Sequence, residues 1–384
     1  MTTTPLRTTP STATPSPAAL PTAVLPPATV LAPTRATAHR RRGFGVPDAA
    51  TWRSIGSHLL IPLFLAIGMA FAYLGAFHAP SAHDLPVAVV GTSPETAVFA
   101  QTLNDKGDGA VAVRTVADAA QAKAQIEDQK ILAAYETGTQ GATLYVSHAA
   151  SEAGAAAAQS IFLPIAYQQH LPVDVVDVRP GTAQDPGGQT LFFLLVALSV
   201  GAYASAVAIA AATAKLRAAW RLGIGAVVSL ALSGIAVVIT GGVYRALNGG
   251  EWNIWLLGAL YVFGIVSIGI GLHPILGKWT TPTLTALFVM LNFTSSGGVY
   301  PASLSPWFFA GLHSFWNGAA WLEAARDLTY FPDQSIGFAA LRLALWAAAG
   351  VTLVMVGAAL ERSRRVVAEA TRDAREAETD LVAA

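Results

Sequence analysis

The chain is 384 residues long, carries no net charge at pH 7, and is 53% hydrophobic but only 12% charged. Soluble domains carry about a quarter of charged residues, so this balance is too apolar for an ordinary soluble domain. Its neutral charge gives no ground for a nucleic-acid partner, and the lack of cysteine removes disulfides, thiolate catalysis and cysteine-ligated metals.

Residues 1 to about 45 are rich in Thr, Pro, Ala and Ser and close on Arg40, Arg41 and Arg42. So little buriable surface predicts a disordered tail, placed over residues 1–54 on the cytoplasmic side. The apolar run from Leu59 to Phe77 has no charged side chain over about 19 residues, enough at 1.5 Å per residue for a hydrocarbon core of about 30 Å. The small residues Ala79 to Ala82 would suit signal cleavage, but the long tail and long apolar run favour a retained transmembrane helix over 55–78.

Residues 79–188 have a different texture. Short apolar runs at Pro86 to Val90, Val111 to Val113, Ile131 to Tyr135, Thr143 to Val146 and Val173 to Val178 read as strands. Amphipathic stretches at Thr96 to Leu103 and Ala117 to Asp128, and the Ala-rich stretch from Ser151 to about Gln169, read as helices between them. Gly138-Thr139-Gln140-Gly141 is a hairpin signal. Together they predict a helix-covered α/β domain.

Beyond Gly188 the apolar runs resume at Thr190 to Thr213, Leu222 to Tyr244, Trp252 to Leu272, Thr283 to Thr294 and Ile336 to Leu360. The stretch near 297–331 is aromatic and broken by Pro, which suits a re-entrant pair of half-helices inside a five-helix membrane domain over 189–360. Basic residues cluster at Arg40 to Arg42 and Arg53, at Lys215, Arg217 and Arg221, at Lys278, and at Arg362, Arg364 and Arg365. The positive-inside rule then places both termini in the cytoplasm and the α/β domain outside. Trp252, Trp255, Trp279, Trp307, Trp316 and Trp321 fall near proposed span ends, as an aromatic belt would. Residues 361–384 read as a charged cytoplasmic helix, with Glu361/Arg365 and Arg372/Glu376 spaced for ion pairs. The expected fold is an α-helical polytopic membrane protein of about six transmembrane helices, with the α/β extracytoplasmic domain inserted between the first and second.

The spans contain one ionisable residue, Arg342, close enough to the outer end to snorkel. Without a buried carboxylate or histidine relay, any export would draw its energy from a partner ATPase. Gly277-Lys278-Trp279 is no phosphate loop, since it lacks the earlier Gly and the following Ser or Thr. His78, His83 and Asp84 lie close together but match no helical ligand spacing, so solvated interfacial residues are the ordinary explanation. No catalytic, cofactor-binding or metal constellation is expected. Asn292 inside a span reads as polar glue between helices. Small residues four apart, Ala197, Gly201 and Ser205, then Gly225, Ser229 and Ser233, mark close helix packing, within one bundle or along a homodimer seam. Ser267 and Gly271 repeat the spacing.

Several strings recur in the same order in one family. They are Leu85 to Val90 after the first helix, Val176-Asp177-Val178-Arg179-Pro180 with Asp185-Pro186-Gly187-Gly188, and Ser295-Ser296-Gly297-Gly298-Val299-Tyr300-Pro301. Pro306-Trp307-Phe308-Phe309, Leu312-His313 and Gly318 through Glu323, Arg326 and Phe331 follow. Over roughly residues 55 to 360 this order resembles ABC-2-type transporter permeases, in particular the phage-infection-protein-like branch. Many relatives have a Pro where this chain reads Ser314-Phe315-Trp316-Asn317. The resemblance implies a half-transporter in the cell membrane that pairs with a second copy and binds a separate ATP-binding-cassette ATPase. Lys215, Arg217 and Arg221 would form the coupling loop, with a topogenic cluster as the plain alternative, and an interfacial helix around Ala49 to His58 would assist. Gly297, Gly298, Pro301, Pro306, Glu323 and Arg326 would belong to the gate segment. The expected function is outward movement of an amphipathic, lipid-like or drug-like substrate. The alternative is a non-transporting membrane receptor or scaffold whose outer domain binds a cell-envelope or extracellular partner.

Overall fold

A computed structural model describes residues 48–138, 141–247 and 249–383. Nearly all of the expected disordered tail, and Thr139 and Gln140 of the expected turn, lie outside the described residues. Helix α1 (Ala49–Phe77) is followed by β1 (Leu85–Val90), α2 (Pro94–Gly107), β2 (Val111–Val116), α3 (Ala119–Glu127), β3 (Ala133–Thr137), β4 (Ala142–Val146), α4 (Glu152–Gln168) and β5 (Val173–Asp177).

The sheet order is β2-β1-β3-β4-β5, with only the β3–β4 pair antiparallel. Both faces of the sheet are covered, so β1 is apolar throughout, instead of alternating. Leu85, Val87 and Val89 face α2 and α4 together with Tyr135 and Phe162. Ala88 and Val90 face α3 with Ile126 and Tyr145. Each helix opens on a side-chain cap: Ser93 accepts from the Thr96 amide, Asp118 from Gln121 and Ser151 from Gly154. On the α3 face Tyr145 donates to Glu136 at 2.7 Å, and burial followed by that carboxylate pushes its phenol up to about 12.

The remainder is helical: α5 (Thr190–Ala212), α6 (Ala218–Val237), α7 (Glu251–Leu276), α8 (Thr280–Thr285), α9 (Asn292–Ser295), α10 (Trp307–His313), α11 (Asn317–Tyr330) and α12 (Gly337–Ala383). π-helical turns at Val238–Val243 and Ala286–Leu291 extend α6 and join α8 to α9. Among the described residues five helices are long and apolar enough to cross a membrane, against the expected six, because Trp252 to Leu272 and Thr283 to Thr294 fall in one helical run, Glu251–Ser295. That run folds back on itself at Gly277, where φ is +54° and ψ is −120°. Tyr261 and Asn292, 31 residues apart, are hydrogen-bonded at 2.6 Å. A straight helix would separate them by about 46 Å.

α7 lies at the centre and packs along α12 through residues with little or no side chain. A Cβ at Gly350 would fall 2.7 Å from Ser267 Cβ, and one at Gly271 2.5 Å from the backbone of Leu353. Without a hydrophobic force between helices in lipid, such close backbone approach is what holds a bundle together. α1, by contrast, has a single buried residue, Ala76.

Candidate functional site

Four helices deliver polar side chains to one point inside the bundle. Ser199 on α5 and Tyr261 on α7 share a hydrogen bond of 2.6 Å, and Asn292 Nδ2 donates to both, at 3.1 and 2.6 Å. Asn292 thus links helices as its sequence position suggested. Its carboxamide also presses on α11, since a Cβ at Gly318 would lie 1.9 Å from Asn292 Oδ1. Asn317 and Trp321 on α11 are fully buried. The Asn292 Oδ1, both amide atoms of Asn317 and Trp321 Nε1 have no hydrogen-bond partner among the described residues. In an apolar interior an unpaired polar group costs about 1–3 kcal/mol, so this cluster is expensive to keep dry. Trp321 also corrects the aromatic-belt expectation: it is the largest fully buried side chain among the described residues, its ring tilted against Tyr261 at 6.0 Å, and Trp316 is buried too, whereas Trp252 and Trp307 are exposed.

A second cluster joins α10, α11 and α12. Glu323 receives His313 Nε2 at 2.9 Å on one oxygen and Arg342 on the other. Arg342 also donates to the carbonyls of His313 and Ser314, at 3.3 and 3.0 Å. His313 Nδ1 lies 2.9 Å from the Ser295 carbonyl. Both ring nitrogens face acceptors, so both bonds are made together only by the doubly protonated ring. Arg342 is therefore buried and paired, and does not snorkel as the sequence suggested.

The expected gate residues frame this cluster. Gly297 has φ +78°, and a Cβ there would fall 2.8 Å from His313 Cε1. One at Gly298 would fall 2.1 Å from Phe192. Pro301 opens a short helical turn at Ala302–Leu304, and Pro306 precedes α10. Arg326 is half-buried and makes no ion pair among the described residues.

The same segment is bolted to the sheet domain at two places. The His83 amide donates to the Ser303 carbonyl at 2.8 Å, and Leu304 belongs to the core beneath α2 and α4. Across the domain, Gln129 Nε2 donates to Asp327 Oδ1 at 2.6 Å, and Gln334 Nε2 donates to Asp128 Oδ1 at 3.3 Å. Gln129 takes the left-handed φ of +54° to make this reach. Lys130, hydrogen-bonded to Asp128, holds that carboxyl below the ordinary carboxylate range. At the root of α5, Asp185 accepts from the amides of Gln189 and Thr190, and lies 3.4 Å from Tyr330 Oη.

At the opposite end of α12, Arg221 is buried, bonded to both carboxylate oxygens of Glu361 and to the carbonyls of Thr213, Ala214 and Leu216. Arg221 is thus held inside the chain, and Glu361 pairs with it instead of with Arg365 as its spacing suggested. Lys215 and Arg217 remain exposed beside it. The small-residue faces are also used internally: a Cβ at Gly201 would meet Leu232 at 2.8 Å and one at Gly225 Val266 at 3.1 Å. Ser229 is buried, Ser233 donates to the Trp255 carbonyl, and Ser205 is half-buried. Ala197, on the same face as Gly201 and Ser205, is exposed.

Sequence reasoning missed the partners of Arg342 and Arg221, and missed Asn317 in the buried cluster. A polar residue followed by Gly within an apolar aromatic stretch was the available signal for Asn317. No protein-family model, curated protein or solved structure matches the chain.

Proposed function

We propose that the chain is the membrane-spanning permease subunit of an ABC-2-type exporter, moving an amphipathic, lipid-like or drug-like substrate outward with a separate ATPase. The observation that carries this reading is the Glu323 cluster: it ties α12 to the α10–α11 segment, and that segment holds the outer domain through Ser303, Leu304 and Asp327. A chain that served only as an anchor has no use for such a linkage. In this reading the two arms of the Glu251–Ser295 run each cross the bilayer, giving six spans, and α10 and α11 form the re-entrant gate. The basic residues Lys215, Arg217, Arg362 and Arg365 gather around the Arg221–Glu361 pair, which supports a cytoplasmic face there and both termini inside. Transport proceeds as a homodimer in the cell membrane, with Lys215 and Arg217 meeting the ATPase.

The receptor or scaffold reading accounts for the outer domain but gives no role to the unpaired polar atoms around Asn292 and Asn317. For a transporter they are the wettable interior that a polar group crosses. The test is co-purification with an ATP-binding-cassette ATPase encoded beside the chain, followed by ATP hydrolysis in nanodiscs. Amphiphile-stimulated hydrolysis that falls at least about tenfold in Glu323→Ala supports the proposal. No association, or hydrolysis indifferent to Glu323, refutes it. Because the chain lacks cysteine, single Val98→Cys and Thr371→Cys variants read the topology: an impermeant thiol reagent added to intact cells should label only the first.

A further inference from the structure

Between α2 and α4, over β1 and β2, the outer sheet carries an open cleft of about 660 Å³. Small-molecule sites span about 300–1,000 Å³ and are mostly apolar with a few polar groups, and this cleft has that character. Phe99, Leu103, Val111, Ile161, Phe162 and Ile165 supply its walls. Its floor is fixed by an aromatic row, Tyr135 stacking on Phe162 at 5.0 Å and meeting Phe99 at 6.2 Å.

Two amphipathic helices on a sheet ordinarily close on each other. Here Leu103, Ile161 and Ile165 stay half-exposed across the gap. Water against such walls costs about 25 cal/mol per Å² of apolar surface, which an apolar guest recovers. The lining contains one formal charge, Lys106, and no carboxylate. Lys106 makes no ion pair among the described residues, while its neighbour Asp105 is held by Gln101 at 2.7 Å. Thr102, Gln168 and Gln169 add neutral polar groups to the lining.

The geometry points to a binding site for one long acyl chain with an anionic carboxylate head. The chain lies between α2 and α4, and the carboxylate meets Lys106. This rests on the outer sheet alone and not on the transport reading.

The test uses the full chain in lipid nanodiscs with a diazirine-bearing palmitate. Photolysis should place cross-links on peptides carrying Leu103 and Ile161, and unlabelled palmitate should suppress them. The matching uncharged hexadecanol probe should label those peptides about tenfold less, and Lys106→Glu should lower palmitate labelling about tenfold while Lys106→Arg keeps it. Leu103→Trp or Ile165→Trp, whichever keeps the parent melting temperature, should fill the cleft and abolish labelling, and Val98→Trp outside it should not. Cross-links confined to the membrane helices, equal labelling by the two probes, or palmitate labelling unchanged by both Lys106→Glu and the filling variant would overturn the assignment.

Discussion

Arg342 and Glu361 stand nineteen residues apart on α12, and each closes an ion pair with another segment, Arg342 with Glu323 and Glu361 with Arg221. At 1.5 Å per residue the separation is about 28 Å, close to the hydrocarbon thickness of about 30 Å. α12 is thus pinned by charge near both edges of the apolar layer, with no ionisable side chain between the pins.

Removing one partner of a buried pair leaves an uncompensated charge and costs about 3–5 kcal/mol. Glu323→Ala should therefore lower the thermal midpoint of the purified chain markedly, and more than Arg342→Met. The double variant should be more stable than the sum of the singles predicts, a coupling of about 1–3 kcal/mol measured by a double-mutant cycle.

The basic loop should divide by burial. Arg221→Ala, losing Glu361 and its carbonyl contacts, should destabilise by about 3 kcal/mol. Lys215→Glu and Arg217→Glu, exposed, should stay within about 0.5 kcal/mol yet cut ATPase association. Unchanged association with an intact fold removes the coupling role.

Glycine positions on the α7–α12 seam should not tolerate a methyl. Gly271→Ala would place Cβ 2.5 Å from the Leu353 backbone and should cost about 1–3 kcal/mol by overpacking. Gly223→Ala meets nothing within 4 Å and should be neutral or stabilising by up to about 1 kcal/mol. Melting curves of the two variants in one detergent decide it.

The bond from Gln129 to Asp327 should couple the sheet domain to α11. Asp327→Ala should speed amide exchange at the end of α3 as well as in α11, by a factor corresponding to about 1 kcal/mol. Exchange changes confined to α11 would mean that the contact carries no coupling.

The local elements were legible because they follow from near neighbours in sequence. The amphipathic stretches at Thr96 to Leu103 and Ala117 to Asp128 announce α2 and α3, and the Thr143 to Val146 run after a glycine turn announces β4. The pairings that build the site were not, because their partners are remote. Arg221 and Glu361 are 140 residues apart, and Gln129 and Asp327 are 198 apart. Trp321 misled for a related reason: indoles suit both interfaces and interiors, and only the packing of Tyr261 and Gly258 around it decides.

Leu304 has a consequence for biogenesis. It fills part of the sheet domain's interior, yet it leaves the ribosome roughly 130 residues after the last strand. At about 5–20 residues per second the sheet domain waits on the order of ten seconds for its final plug. A fragment ending after β5 would therefore be a folding intermediate with an open flank, a natural client for a chaperone.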